Sequence, residues 1–220
     1  MEQFEPLRRA LGEGGISVSQ EIVEKFSEYW SLLIAWNQRV NLISRRDERR
    51  IVTRHFLESL GLINVVEFPP GARVMDLGSG AGFPGIPMKL VRPDLKFVLV
   101  ESRRKKVFFL NKVIEKLNLE GIEIVEGRVE EEGRQIVPVD FIVSRSVADL
   151  ITLIKWSRNC LNPRGGSLIV IKGAGVGKEL DSLGAVASDL GVKGWRSIKY
   201  NPFPKVFQLK ESYVVVVESA

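Results

Sequence analysis

The sequence predicts an α/β protein: a seven-stranded, largely parallel sheet flanked by helices, with a helical extension in front of it. Three observations lead there. Apolar residues recur at helical spacing through roughly the first 65 positions; short β-branched and aliphatic runs then alternate with helical stretches; and the last two such runs stand too close together for a crossover helix.

In the extension, Ile22, Phe26, Trp30, Leu33 and Trp36 form a helical stripe over residues 19 to 37, with Ser19 placed to cap it. A second helix is expected from Asp47 to Leu62, its inward row being either Ile51, His55 and Leu62 or Phe56, Ser59 and Ile63. Pro69-Pro70-Gly71 breaks the pattern. The division is therefore residues 1–68, a helical extension, and 69–220, the sheet domain.

Strands are expected at Arg73–Leu77, Lys96–Glu101, Ile122–Glu126, Phe141–Ser144, Ser167–Lys172, Gly194–Lys199 and Ser212–Val217. Helices are expected at Ile86–Val91, Lys105–Leu117, Leu150–Cys160 and Gly177–Leu190. The final two strands must pair antiparallel, because the segment around Tyr200 to Lys205 leaves no room for a crossover.

Composition narrows the function classes. The start lacks the apolar core of a signal peptide and no apolar run approaches a membrane span, so a cytoplasmic, membrane-free protein is expected. A single cysteine, Cys160, and a single histidine, His55, leave no ligands for a disulfide framework or a structural zinc, and no metal is expected. The net charge of +5 is moderate but uneven. Leu150 to Lys178 contains Lys155, Arg158, Arg164, Lys172 and Lys178 and no acid; Val192 to Lys210 contains Lys193, Arg196, Lys199, Lys205 and Lys210 and no acid; Arg39 to Arg54 sets six arginines against Asp47 and Glu48. Such runs are either solvated faces or a phosphate-binding surface.

The first strand ends in Asp76-Leu-Gly-Ser-Gly-Ala-Gly-Phe-Pro-Gly85. Gly80, Gly82 and Gly85 fit the G-x-G-x-x-G dinucleotide pattern, and Glu101 ends the next strand 19 residues past Gly82. The pattern alone does not distinguish a nicotinamide cofactor from another adenosine compound. Asp76 does. A carboxylate at that strand end opposes a pyrophosphate, whereas it favours the ammonium and sulfonium of S-adenosylmethionine. Gly78, Ser79, Gly80 and Gly82 allow the backbone to approach that cofactor, and Glu101 is placed for its ribose hydroxyls. Val129 and Glu130, just past the third strand, are placed for the adenine amino group. With the terminal hairpin, this makes the sheet domain a Rossmann-like fold of the S-adenosylmethionine-dependent methyltransferases.

At the fourth strand end stands Ser144-Arg145-Ser146, where enzymes acting on exocyclic amines commonly place Asn or Asp with two prolines. Methylation of pyrimidine C5 needs a cysteine nucleophile, and Cys160 falls within the following helix. A ring nitrogen such as guanine N7 needs neither, since its in-plane lone pair attacks directly and positioning suffices. Arg145 is a candidate to hold the acceptor or a cofactor carboxylate.

Trp36-Asn-Gln-Arg-Val-Asn-Leu42, Arg54-His-Phe-Leu-Glu-Ser-Leu60, the turn continued through Phe83-Pro-Gly-Ile-Pro87, Ser144-Arg145 and Lys172-Gly173 together resemble the bacterial small-subunit ribosomal RNA (guanine-N7) methyltransferases, the glucose-inhibited division protein B family. The resemblance spans most of the chain. It implies cofactor contacts at Gly78, Phe83, Val129, Glu130 and Arg145, and small-subunit (16S) ribosomal RNA, free or in an assembled small subunit, as substrate. Asn41, His55 and Lys172 match positions expected on the acceptor side. Glu58 stands where that family often has Asp. A monomer is expected. The competing expectation is a small-molecule S-adenosylmethionine-dependent methyltransferase.

Overall fold

A computed structural model of the protein describes residues 2–13, 15, 19–133, 135–206 and 211–219; Lys210, the last cation of the second acid-free stretch, lies outside them. A short 3₁₀ turn, Glu2–Phe4, leads into helix α1 (Glu5–Glu13), which the periodicity did not single out and which buries Leu7, Ala10 and Leu11. Helix α2 (Gln20–Asn37) starts as expected, Ser19 Oγ accepting a hydrogen bond from the Ile22 amide. Its inward row, however, is Val23, Phe26, Tyr29 and Leu33, while Ile22, Trp30 and Trp36 sit half-buried beside it. The Tyr29 hydroxyl donates to the Ala81 carbonyl, so its ring is buried with its polar atom satisfied.

The expected helix from Asp47 to Leu62 is broken into a 3₁₀ turn (Glu48–Arg50), a π-helical stretch (Ile51–Leu57) and helix α3 (Glu58–Val65). The wide winding turns Ile51, Val52, His55, Phe56 and Leu57 inward together, so neither candidate row alone is the buried one. Competing hydroxyls accompany the irregularity: Ser59 Oγ donates to the His55 carbonyl at 2.6 Å and the Tyr200 hydroxyl donates to the Glu58 carbonyl. Gly61 permits that approach, since a Cβ there would lie 2.2 Å from Pro202 Cγ.

The remaining chain alternates β1 (Arg73–Leu77), α4 (Gly85–Val91), β2 (Lys96–Glu101), α5 (Arg104–Leu117), β3 (Ile122–Glu126), α6 (Val129–Glu132), β4 (Phe141–Arg145), α7 (Leu150–Ser157), β5 (Ser167–Gly173), α8 (Val176–Val186), β6 (Val192–Lys199) and β7 (Ser212–Ser219). The seven strands are ordered β3-β2-β1-β4-β5-β7-β6. β1 to β5 pair parallel, and β7 pairs antiparallel with both β5 and β6. The expected hairpin therefore forms with its second strand inserted inside the first. Val214 to Val217 are buried on both sides of the sheet, as an inserted central strand requires.

Alternation along the strands separates two cores. Val74, Leu99, Val143, Ile169 and Val216 face one cluster shared with α1 to α5, and Met75, Val98, Ile142, Val170 and Val217 face the other beneath α7 and α8. The extension thus packs on one sheet face as part of that face's core. Helices α7 and α8 end earlier than expected, which leaves Cys160 in the turn after α7 rather than within the helix. Because β1 neighbours both β2 and β4, the connections leave in opposite directions there, opening a crevice at the carboxyl edge of the sheet.

Candidate functional site

Two cavities open along that edge. The larger, about 850 Å³, is lined by the glycine turn (Gly78, Ser79, Gly80, Phe83), by Arg145 at the end of β4 and Val147 just past it, by Lys172 near the end of β5, and by His55, Arg54 and Leu42 of the extension. The smaller, about 150 Å³, is lined by Glu101, Gly127, Val129, Glu130 and Trp156. Gly78 and Val147 line both and separate them. Gly78 holds φ +74°, and a Cβ on it would lie 2.6 Å from Val147 Cγ2. Only glycine fits that wall.

The turn is held from below by its two acids. Asp76 is fully buried, so it lies under the larger cavity and does not line it; its Oδ2 accepts from the Gly85 amide at 2.9 Å, at the start of α4. Burial pushes its carboxyl from 3.8 up to about 7, while the Gly85 amide, the Arg145 charge and Ser79 pull it down. Its Oδ1 is buried without a partner. Glu101 spans two backbones, Oε2 accepting from Gly80 at 2.9 Å and Oε1 from Arg103 at 2.8 Å. Each oxygen keeps a lone pair for a further donor. Gly82 faces inward against Ile86 and the Tyr29 hydroxyl and does not line either cavity.

The residues present fit S-adenosylmethionine on three counts: an unpartnered buried carboxylate oxygen beside the turn, a backbone cradle kept open by Gly78 and Gly80, and an adjoining second pocket with acids Glu101 and Glu130 at its edge.

The opposite wall is built across the chain. Arg145 Nη1 donates to the Arg54 carbonyl at 3.1 Å and to Glu58 Oε2 at 2.7 Å, and its Nη2 lies 2.7 Å from His55 Nδ1. Its guanidinium sits 5.1 Å from the Phe83 ring centre, and His55 stacks on the same ring at 4.9 Å and 15°. Facing a permanent donor, His55 Nδ1 must accept, which places the ring proton on Nε2. Burial, joined by the charges of Arg145, Arg54 and Arg50, pushes the imidazole down to about 2, so it is neutral at any working pH. Ser146, directly after Arg145, turns the chain with φ +57°.

Sequence reasoning did not find Asn37, Glu58 or Tyr29 as parts of the site. Asn37 Oδ1 accepts from the Leu42 and Ile43 amides at 2.9 and 3.0 Å, pinning the loop that roofs the larger cavity, and its Nδ2 donates to Glu48 at 2.7 Å. Its place inside the Trp36-to-Leu42 segment was the available signal. Asn41 lines a separate cleft with Arg39 and Arg103 to Lys106, away from His55. Lys172 reaches the larger cavity but is engaged, donating to the Ala148 carbonyl at 2.6 Å and pairing with Glu179 at 2.8 Å. The expected basic surfaces are partly neutralised too: Arg54 pairs with Asp47 at 3.3 Å and Arg196 with Glu218 at 3.2 Å. Cys160 is buried, its thiol pushed up to about 11 by burial, and lines neither cavity. Among the described residues, no cluster of three or more His, Cys, Asp and Glu is arranged to hold a metal, and no helix is long and apolar enough to cross a membrane.

The family model described as rRNA small subunit methyltransferase G (GidB) matches residues 22–196. The chain is 40% identical over 188 residues to the ribosomal RNA small subunit methyltransferase G of Moorella thermoacetica, covering 83% of this chain and 78% of that one. It is also 40% identical over 180 residues to the protein of the same name from Roseiflexus castenholzii, covering 80% and 76%. Among solved structures, an S-adenosylmethionine-dependent methyltransferase from Aquifex aeolicus superposes with a TM-score of 0.57 at 18% identity, covering 81% of this chain and all of that one. Aeropyrum pernix fibrillarin, solved with natively bound S-adenosylmethionine, gives 0.55 at 17% identity, covering 76% and 75%. These two likenesses establish the Rossmann-like methyltransferase fold.

Proposed function

The chain belongs to the rRNA small subunit methyltransferase G (GidB) family, and we propose that it methylates the N7 position of a guanine in small-subunit (16S) ribosomal RNA, as a cytoplasmic monomer using S-adenosylmethionine. When bound, that cofactor supplies an electrophilic methyl group on a sulfonium. With it bound, the methyl would pass from that sulfur to the guanine N7 lone pair, giving S-adenosylhomocysteine and a cationic 7-methylguanine, and no group of this chain would have to remove a proton beforehand.

The observation carrying this reading is the electrical character of the wall facing the glycine turn. His55 is neutral, and the Arg145 charge is matched by Glu58 at 2.7 Å. A base that becomes positive during the reaction therefore meets no uncompensated cation there. Arg145 and His55 are positioning groups, locked against Phe83 at a defined distance from the turn. Asp76 and Glu101 hold that turn and favour a cationic, hydroxyl-bearing ligand. The chemistry needs no nucleophile, in keeping with a cysteine sealed elsewhere.

Incubation with methyl-labelled cofactor and small-subunit RNA, free or in assembled particles, followed by nucleoside mass spectrometry, tests the reading. Labelled 7-methylguanosine is expected. Label in another nucleoside, or in none, overturns it.

A further inference from the structure

The cleft containing Asn41 differs chemically from the cavities beside it. About 320 Å³ in volume, it lies between the Arg39-Val40-Asn41 turn after α2 and the start of α5, and Arg103, Arg104, Lys105 and Lys106 line its other side. Five cations share one depression, and no carboxylate among the described residues lies within ion-pair distance of any of them. The neighbouring acid, Glu101, is buried and engaged with the Gly80 and Arg103 amides. Unmatched like charges at this density repel one another, and an anion relieves that repulsion.

Two further features indicate the kind of anion. Lys106 lines this cleft and the larger cavity as well, so the cleft adjoins that cavity beside the glycine turn. One turn along α5, Phe108 is 54% exposed, with its ring 5.5 Å from Trp36 and Lys112 Nζ 6.0 Å from its centre. An exposed aromatic ring supported from behind, next to clustered cations, is a surface on which an unpaired base stacks while its backbone is neutralised. This run of four cations lay outside the three basic stretches read from the sequence.

We propose that this cleft is a phosphodiester subsite that grips the single-stranded RNA flanking the target nucleotide, with Phe108 stacking a neighbouring base. The inference rests on RNA being the substrate. A base must leave its helix to enter a cavity at the sheet edge, and the strand beside it is then unpaired. The cleft would hold that strand at the cavity mouth, with Arg39 and Lys105 on opposite banks.

The test measures RNA binding directly, so its outcome is separate from whether 7-methylguanosine is formed. Arg39→Ser, Arg104→Gln and Lys105→Gln are combined, and Phe108→Ala is made separately; none touches the cofactor pockets, so cofactor affinity and the unfolding transition report that each variant is folded. Each lost contact to a single strand removes about 0.7 from the slope of log affinity against log salt. The triple variant is expected to bind small-subunit RNA roughly tenfold to a hundredfold more weakly near physiological salt, with a slope smaller by about 2. Phe108→Ala is expected to lose at least about fivefold. Lys193→Gln with Lys199→Gln on β6 serves as the comparison and is expected to change binding less. Unchanged affinity and slope in the triple variant, an equal loss in the β6 variant, or competition by inorganic phosphate as effective as by an oligoribonucleotide overturns the proposal.

Discussion

The two halves of the carboxyl edge are built by different means. On the β1–β2–β3 side the cavity is made of backbone and strand-end acids that are close in sequence: Asp76 reaches Gly85 nine positions on, and Glu101 reaches Arg103 two positions on. On the β4–β5 side the wall is made of side chains that meet across the fold, Arg145 with Glu58 and His55 being separated by 87 and 90 positions. The first half is a local motif that a strand and a turn produce by themselves. The second exists only when the extension is docked. A perturbation in the first half should therefore act mainly on cofactor binding, and one in the second on stability and acceptor positioning together.

The largest expected effect is in the second half. Arg145→Ala would leave the nearly buried Glu58 carboxylate without its partner, and breaking such a pair costs about 3–5 kcal/mol. It also frees the His55 ring and uncovers Phe83. Denaturant unfolding should show the loss of stability, and methyl transfer should fall by orders of magnitude. Glu58→Gln added to Arg145→Ala should return part of the stability and none of the turnover. Near-native stability in Arg145→Ala alone would mean that the wall is not what holds the extension to the sheet.

Gly78→Ala comes next and addresses the first half. Its φ of +74° strains any L side chain by about 1–2 kcal/mol, and the added methyl meets Val147. Calorimetry should find cofactor affinity down at least tenfold. Pairing it with Val147→Ala relieves the collision and leaves the backbone strain, so recovery should be partial. Full recovery would show that the dihedral angle contributes nothing.

These two sites also explain what was readable from the chain. Asp76, the glycines and Glu101 follow a strand–turn–helix order, so their spacing alone predicts their neighbourhood, and the strands Arg73–Leu77, Lys96–Glu101 and Ile122–Glu126 appear as expected. Periodicity was less reliable in the extension, where π-helical winding at Ile51–Leu57 has no hydrophobic period of its own and Tyr29 replaces Trp30 in the buried row. The pairing of Arg145 with Glu58 carries no sequence signal, since the two stand 87 positions apart and no spacing or periodicity links them. Likewise Lys172 lines the larger cavity, but its engagement by Glu179 depends on how α8 packs back over β5.

The pH dependence of stability should contrast the halves through one residue from each. Asp76 holds its proton up to about 7 in the folded protein against 3.8 otherwise, so its contribution falls as pH rises from about 4 to 7. His55 refuses a proton down to about 2 against 6.5 otherwise, so its contribution falls as pH drops below 6.5. The slopes, each about 1.4 kcal/mol per pH unit at most, oppose one another where the windows overlap and flatten the profile. Unfolding measured across that range should show a steeper acid loss in Asp76→Asn and an exposed decline toward neutrality in His55→Gln. Parallel profiles in both variants would rule out this balance.

The smallest expected effect lies where the halves join. Tyr29 belongs to the extension, yet its hydroxyl donates to Ala81 within the glycine turn, and its ring lies 5.7 Å from Phe83. Tyr29→Phe keeps the ring and removes only that bond, leaving the Ala81 carbonyl short of a donor, at a cost of about 1 kcal/mol. If the turn is self-sufficient, thermal unfolding should shift while cofactor affinity stays put. If docking of the extension also tunes the turn, affinity should weaken a few-fold along with stability. The bond from Tyr29 to Ala81 favours the second outcome, because the turn that receives the cofactor is then supported by the same helix that carries Asn37 and its roofing loop over the larger cavity.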